Sequence, residues 1–255
     1  MDSFSVPAGR LGRPPYSFIL GYPRPAPREA ERRVAELRGL GVKSVTFAGP
    51  TVLNSLPVLG KGYVGVVVLA KRAGRMVALK IRRVDSSRPE MKSEARLLRL
   101  ANKVNVGPRL IDCSKNFMVM EYVEGRRIID WAGELKGRGR AARFREVARR
   151  VLEDCYSLDR IGLDHGELSY IHKHVIVGRS PCIIDFESAS TERRTSNVTS
   201  ATQSIFIGSG LSSKVGRIMR IPDRDIMIKS LKKYKHEQSR SNFDGLLAVL
   251  GLDKN

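Results

Sequence analysis

The spacing of apolar positions changes partway along the chain, and the change separates a strand-like first half from a helix-like second half. From Leu56 the pattern is sheet-like. PVLGKGYVGVVVLA, a turn at Lys71 to Arg75 and MVALKIRRV predict two antiparallel strands joined as a hairpin. A helix is expected from about Pro89 to Lys103. RLIDCS and FMVMEYV then flank a Lys115–Asn116 turn as a second hairpin. Beyond Gly125 the signal is mainly helical, best in Phe144, Val147, Val151, Cys155 and Leu158, a stripe at helical spacing. Strands followed by helices predict an α+β architecture with two unequal lobes. Ahead of this, residues 1–25 are rich in Pro, Gly and Arg and are expected to be poorly ordered or extended. A helix is predicted from Pro27, with Glu29 and Glu31 in its first turn, a Val34, Leu37, Leu40 stripe and an end at Gly39 or Gly41. VKSVTF follows as a strand. Residues 1–45 are therefore expected to be a partly disordered extension carrying one helix.

Composition narrows the class. With 42% hydrophobic residues and no apolar run long enough to span a bilayer, the 255-residue chain reads as soluble, with no membrane partner. The opening MDSFSVPAGRLGRPPYS lacks the build of a secretory signal, so a cytoplasmic location is expected. Cys113, Cys155 and Cys182 have no metal-ligand spacing and read as buried thiols. The formal charge of +20 exceeds what solubility needs. Basic residues gather over 24–38, 126–150 and 214–240. They are either solvated helix faces or surfaces for RNA, ribosome or an acidic protein.

The first candidate chemistry is Gly60-Lys61-Gly62-Tyr63-Val64-Gly65-Val66-Val67, a GxGxxGxV run. Glycines let backbone N–H groups approach phosphate oxygens and permit positive φ. A dinucleotide fingerprint needs a helix next, but this loop runs into a valine-rich strand, which favours the kinase form. On the following strand, alternation puts Met76, Ala78 and Lys80 on one face, where Ala78 leaves room for adenine and Lys80 reaches phosphates. Glu94 shares a helix face with Met91, Leu98 and Ala101. A carboxylate there needs a cation, and Lys80 is the expected partner.

Over roughly residues 56–190 the sequence resembles the protein-kinase superfamily. Gly60, Gly62 and Gly65 match its nucleotide loop, Lys80 its strand lysine and Glu94 the helix partner. FMVMEYVEG is similar to the segment between lobes, with Met120 behind the adenine and the backbone of Glu121 and Val123 on its edge. Ile184-Asp185-Phe186-Glu187 stands where kinases carry a metal-binding DFG. The resemblance implies a bilobal fold: a small antiparallel N-lobe over 46–124 with one main helix, and a reduced, mainly helical C-lobe over 125–255. HGELS and DFE resemble the atypical kinases of the RIO and KEOPS-kinase type. No APE segment follows, and the ordering ahead of the glycine loop is most similar to archaeal predicted serine/threonine protein kinases. The implied nucleotide residues are Gly60, Lys61, Gly62, Gly65, Val67, Ala78, Lys80, Met120, Glu121 and Val123. ATP and Mg²⁺ are implied as cofactors, with Mn²⁺ as the alternative ion.

LDHGELSYIHKHVIV, residues 163–177, departs from that family in two places. Glu167 stands where an Asp faces the accepting hydroxyl, and it adds one C–C bond, roughly 1.5 Å. The Asn that holds a second metal is replaced by His172 if counted from Glu167, or by His174 if counted from the strand VIV. Asp185 with His172 or His174 is the expected metal set, and Lys173 is able to replace a metal's charge. Glu167, Lys80 and Glu94 are the expected catalytic residues. Three functions follow: an atypical serine/threonine kinase or kinase-like ATPase, a nucleotide-binding pseudokinase scaffold in an RNA or ribosomal assembly, and a small-molecule kinase.

Overall fold

Alternating and helical periods are realised in a computed structural model that describes residues 3–208 and 210–253. The elements fall into two compact units, one of residues 1–99 and 108–122, the other of 100–107 and 123–255. The fold class is α+β, and every strand pair is antiparallel among the described residues.

Unit one contains β1 (Phe4–Pro7), a 3-10 turn at Ala8–Arg10, α1 (Ser17–Gly21), α2 (Pro27–Gly39) and β2 (Val42–Phe47). It continues with β3 (Thr51–Leu53), β4 (Leu56–Val58), β5 (Gly60–Lys61), β6 (Gly65–Arg72), β7 (Arg75–Arg82), α3 (Lys92–Asn102, whose last residues group with unit two), β8 (Leu110–Cys113) and β9 (Phe117–Glu121). The main sheet runs β1-β2-β6-β7-β9-β8, with β5 paired to β6. Its register, Val67↔Lys80 and Lys80↔Met118, then Leu69↔Ala78 and Ala78↔Met120, puts these side chains on one face. Val66, Val68, Val77, Leu79, Ile81, Phe117 and Val119 on the other face form a fully buried core with α2 and the N-terminal elements.

That core corrects one expectation. Instead of a partly disordered extension, residues 4–47 supply an edge strand and the layer over the sheet. Val6, Leu11, Ile19 and Leu20 are all buried, and Phe4 and Tyr16 stack on Phe47. Arg33 explains much of the attachment. It is fully buried, and its guanidinium donates to the carbonyls of Leu20 and Arg82, to Asn116 Oδ1 and to Glu29. Burial lowers its pKa, and Glu29 opposes that shift. A residue of the first basic cluster is thus a bolt through the core. The expected single strand over 57–70 is also broken, into β4, β5 and β6.

Unit two contains β10 (Arg126–Arg127), α4 (Ile128–Glu134), α5 (Arg140–Arg160), a 3-10 turn at Leu168–Tyr170, α6 (Ile171–His174), β11 (Val175–Val177) and β12 (Pro181–Ile183). Helices α7 (Asn197–Phe206), α8 (Gly210–Ile218), α9 (Arg224–His236) and α10 (Arg240–Val249) complete it. Strands β10, β11 and β12 form a small sheet. The expected stripe on α5 is buried at Phe144, Val151, Cys155 and Leu158. Asp159, one turn on from Cys155, is buried too. It accepts from the N–H groups of Asn197 and Val198, from Asn197 Nδ2 and from the Tyr234 hydroxyl. The N-terminus of α7 is therefore capped by a carboxylate on another helix, which satisfies donors that an isolated helix leaves unpaired. Among the described residues no helix is long and apolar enough to cross a membrane.

Candidate functional site

The expected nucleotide residues of unit one lie around the start of β6 and the shared face of β7 and β9. Gly62 N–H donates to Gly65 O at 2.8 Å, closing a tight turn with Tyr63 at its tip, 89% exposed. Gly65 is required for space: a Cβ there would meet Ile81 O at 2.9 Å and Lys80 Cγ at 3.0 Å. Gly60 faces nothing within 4 Å, and none of the three glycines has positive φ, so the close approach is needed at Gly65 and no left-handed turn is involved. Arg83 supports the turn from outside. It donates to Gly62 O at 3.1 Å, binds Asp85 at 2.8 Å and lies 5.1 Å from the Tyr22 ring centre. The Arg83 hydrogen bond pulls the Asp85 carboxyl below its ordinary pKa. Sequence reasoning missed both Arg83 and Tyr22, because neither belongs to a motif.

Lys80 Nζ donates to Glu94 Oε1 at 2.8 Å, and the two side chains are 5% and 2% exposed. Leu98 and Ala101 are buried on the same helix as Glu94, and Met91 is buried just ahead of it. Of the expected adenine-edge residues, Glu121 has its N–H committed to Arg109 O at 2.9 Å.

In unit two, the β11–β12 ladder sets Val175 opposite Ile183, and Ile184 N–H donates to His174 O at 2.8 Å. That pairing brings the residue before β11 beside the residues after β12. Asp185 follows with φ +69, a left-handed conformation that Asp tolerates better than most and that often marks functional positions. As a result Glu167, His174 and Asp185 offer ligand atoms that all lie within 4.8 Å of one another. His174 Nε2 is 3.6 Å from Glu167 Oε2.

The cluster resolves the two ways of counting. His174 joins it; His172 does not, and its ring packs edge-on to Tyr170 instead. Burial first, then the positive charge of Lys173, lowers the His172 pKa. Lys173 is exposed with its ammonium 5.4 Å from the Tyr170 ring. The short turn and helix between Leu168 and His174 put successive residues on different sides.

The loop ahead of Glu167 is pinned residue by residue. Asp164 exchanges both backbone hydrogen bonds with Ser190, and its carboxylate accepts from Arg193 Nε at 2.5 Å and Ser196 N at 2.9 Å. Its carboxylate is thus committed to holding the segment 190–196 against the loop. His165 N–H donates to Asn197 Oδ1, and His165 Nε2 bonds Ile184 O at 3.1 Å. Full burial pushes the His165 pKa down to about 4, so the ring is neutral and its Nε2 carries the proton toward that carbonyl. Arg193 also fills the space above Gly166, where a Cβ would meet its Nη2 at 2.1 Å.

Three features show that the cluster fits a divalent ion. The donors are two carboxylates and an imidazole, a set that transition ions accept. The His174 side chain is 10% exposed, and its buried Nδ1 makes no hydrogen bond among the described residues. Metal bonds of roughly 2.0–2.2 Å place neighbouring ligand atoms roughly 3–4 Å apart. The 3.6 Å between His174 and Glu167 is too long for a good hydrogen bond but suits two atoms sharing an ion. A scan against protein-family models matches none of them, and a search of curated proteins finds no match to this chain.

Proposed function

We propose that this protein is a bilobal, kinase-like, ATP-dependent phosphotransferase that moves the γ-phosphate of ATP to a protein hydroxyl or to water. The observation that carries the reading is the buried Lys80–Glu94 pair, at 2.8 Å, beside a glycine turn that leaves no room for a side chain at Gly65. A lysine held this way presents a fixed positive charge to phosphates without losing its own counter-charge. Ala78, Val67 and Met120 on the same strand face supply the apolar surface for a base.

In unit two, Glu167, His174 and Asp185 would hold a divalent ion, which would supply charge neutralisation to phosphate oxygens. Glu167 also lies on the loop that faces the acceptor in the family resemblance. The pinned backbone from Leu163 to Gly166 keeps that loop in place without a long phosphorylatable segment.

The reading is tested by ATP turnover with Mg²⁺ and with Mn²⁺, following ADP release and label transfer to protein. Wild type, Lys80→Met, Asp185→Asn and Glu167→Gln are compared. Turnover in wild type that is lost in the three variants supports it. Tight ATP binding with no turnover in wild type leaves a nucleotide-braced scaffold, and no ATP binding at all removes both.

A further inference from the structure

We propose that the Glu167–His174–Asp185 cluster selects a first-row transition ion of the Mn²⁺ type over Mg²⁺, with His174 setting the preference and Glu167 acting as a metal ligand. The inference deepens the phosphotransferase reading and rests on it for its role in catalysis, although ion binding is measured without nucleotide.

Mg²⁺ is a hard ion that takes oxygen donors and keeps several waters. An imidazole nitrogen suits the later divalent ions far better. In this structure the nitrogen is not at the rim of the site. His174 is nine-tenths buried, its backbone is locked to Ile184, and its Nε2 faces Glu167 Oε2 at 3.6 Å.

Glu167 enters for a reason of reach. One extra C–C bond, roughly 1.5 Å, extends its carboxylate beyond where an Asp would stop, and Oε2 ends 3.6 Å from His174 Nε2. The two departures from the family pattern are therefore coupled. The longer acid and the imidazole together make a nitrogen-and-oxygen site where an Asp and an Asn would offer oxygen alone. His172, whose ring lies against Tyr170, has no part in it.

The test is Mn²⁺ binding to the nucleotide-free protein, followed by loss of the free-ion electron paramagnetic resonance signal, with Mg²⁺ as competitor. The expected result is a preference for Mn²⁺ that falls roughly ten-fold in His174→Asn, because the amide restores an oxygen donor. Glu167→Gln is expected to weaken Mn²⁺ roughly ten-fold, since a carboxylate is exchanged for a neutral amide. Bound Mn²⁺ in the wild type should also show nitrogen coupling in electron spin-echo modulation, a signature that a structural role for His174 cannot produce. Absence of that coupling overturns the role of His174 whatever happens to the variants. Unchanged Mn²⁺ affinity in Glu167→Gln overturns the role of Glu167. ATP turnover with Mg²⁺ and no nitrogen coupling defeats this inference alone, while nitrogen-bound Mn²⁺ with no ATP turnover defeats the phosphotransferase reading alone.

Discussion

The polar sites of the two units are built on opposite principles. The Lys80–Glu94 pair joins one cation and one anion at 2.8 Å across a strand and a helix. The Glu167–His174–Asp185 cluster brings together ligand atoms from a loop, the end of α6 and the residues after β12. A pair of the first kind can be read from two regular elements, whereas a cluster of the second kind depends on every backbone contact that aims its loops.

Breaking the first site gives the largest expected effect. Lys80→Met leaves Glu94 buried without its lysine and should cost about 3–5 kcal/mol in denaturant unfolding. Lys80→Met combined with Glu94→Leu should recover most of that loss while nucleotide binding stays absent. A single-variant loss below about 1 kcal/mol, the surface-pair range, would erase the contrast between the units.

The scaffold behind the second site has its own sensitivity to pH. Burial raises the Asp154 pKa from 3.8 to about 7; Glu153 adds to the shift and Arg150 opposes it. A carboxyl whose folded pKa is raised contributes stability that is complete below the unfolded pKa and is lost as pH climbs through the folded one. Asp154→Asn should therefore change little near pH 4 and stabilise the protein at pH 8, by on the order of 2–4 kcal/mol. Unfolding curves at the two pH values check this, and equal effects at both would refute it.

Smaller effects sharpen the comparison. Gly65→Ala should cost about 1–3 kcal/mol and weaken ATP binding, because its Cβ lands on Ile81 O and Lys80. Gly60→Ala, with open space around it, should stay within about 0.5 kcal/mol. Calorimetric titration with ATP separates the two. Arg193→Ala should also change stability little, by about 1 kcal/mol or less, since its side chain is 46% exposed. Its effect should appear in turnover at saturating ATP, roughly 10-fold or more, with the Michaelis constant for ATP unchanged. A parallel fall in both would make Arg193 a nucleotide contact instead of a support for the loop at Gly166.

These contrasts follow the line between what was legible and what was not. Lys80 and Glu94 were readable because alternation on β7 and the stripe on α3 fix which way each points. His172 and His174 were not separable by counting, since the choice is made by the Ile184–His174 hydrogen bond across β11 and β12. The N-terminal segment was misread for a related reason. Val6, Leu11, Ile19 and Leu20 follow no period, and they become core only when β1 pairs with β2. Arg33 looked like surface charge because, besides its helix neighbour Glu29, the partners of its guanidinium come from distant segments, Leu20, Arg82 and Asn116.

By itself, then, the sequence determined the α+β order of elements, the place of the glycine turn and the partnership of Lys80 with Glu94. Each follows from a repeat of two or 3.6 residues acting over short distances. Tertiary structure alone decided that His174 and not His172 meets Glu167 and Asp185, that Asp164 is bound to Arg193 and Ser196, and that the N-terminal segment is core. Those outcomes depend on hydrogen bonds between backbone segments that no local period connects.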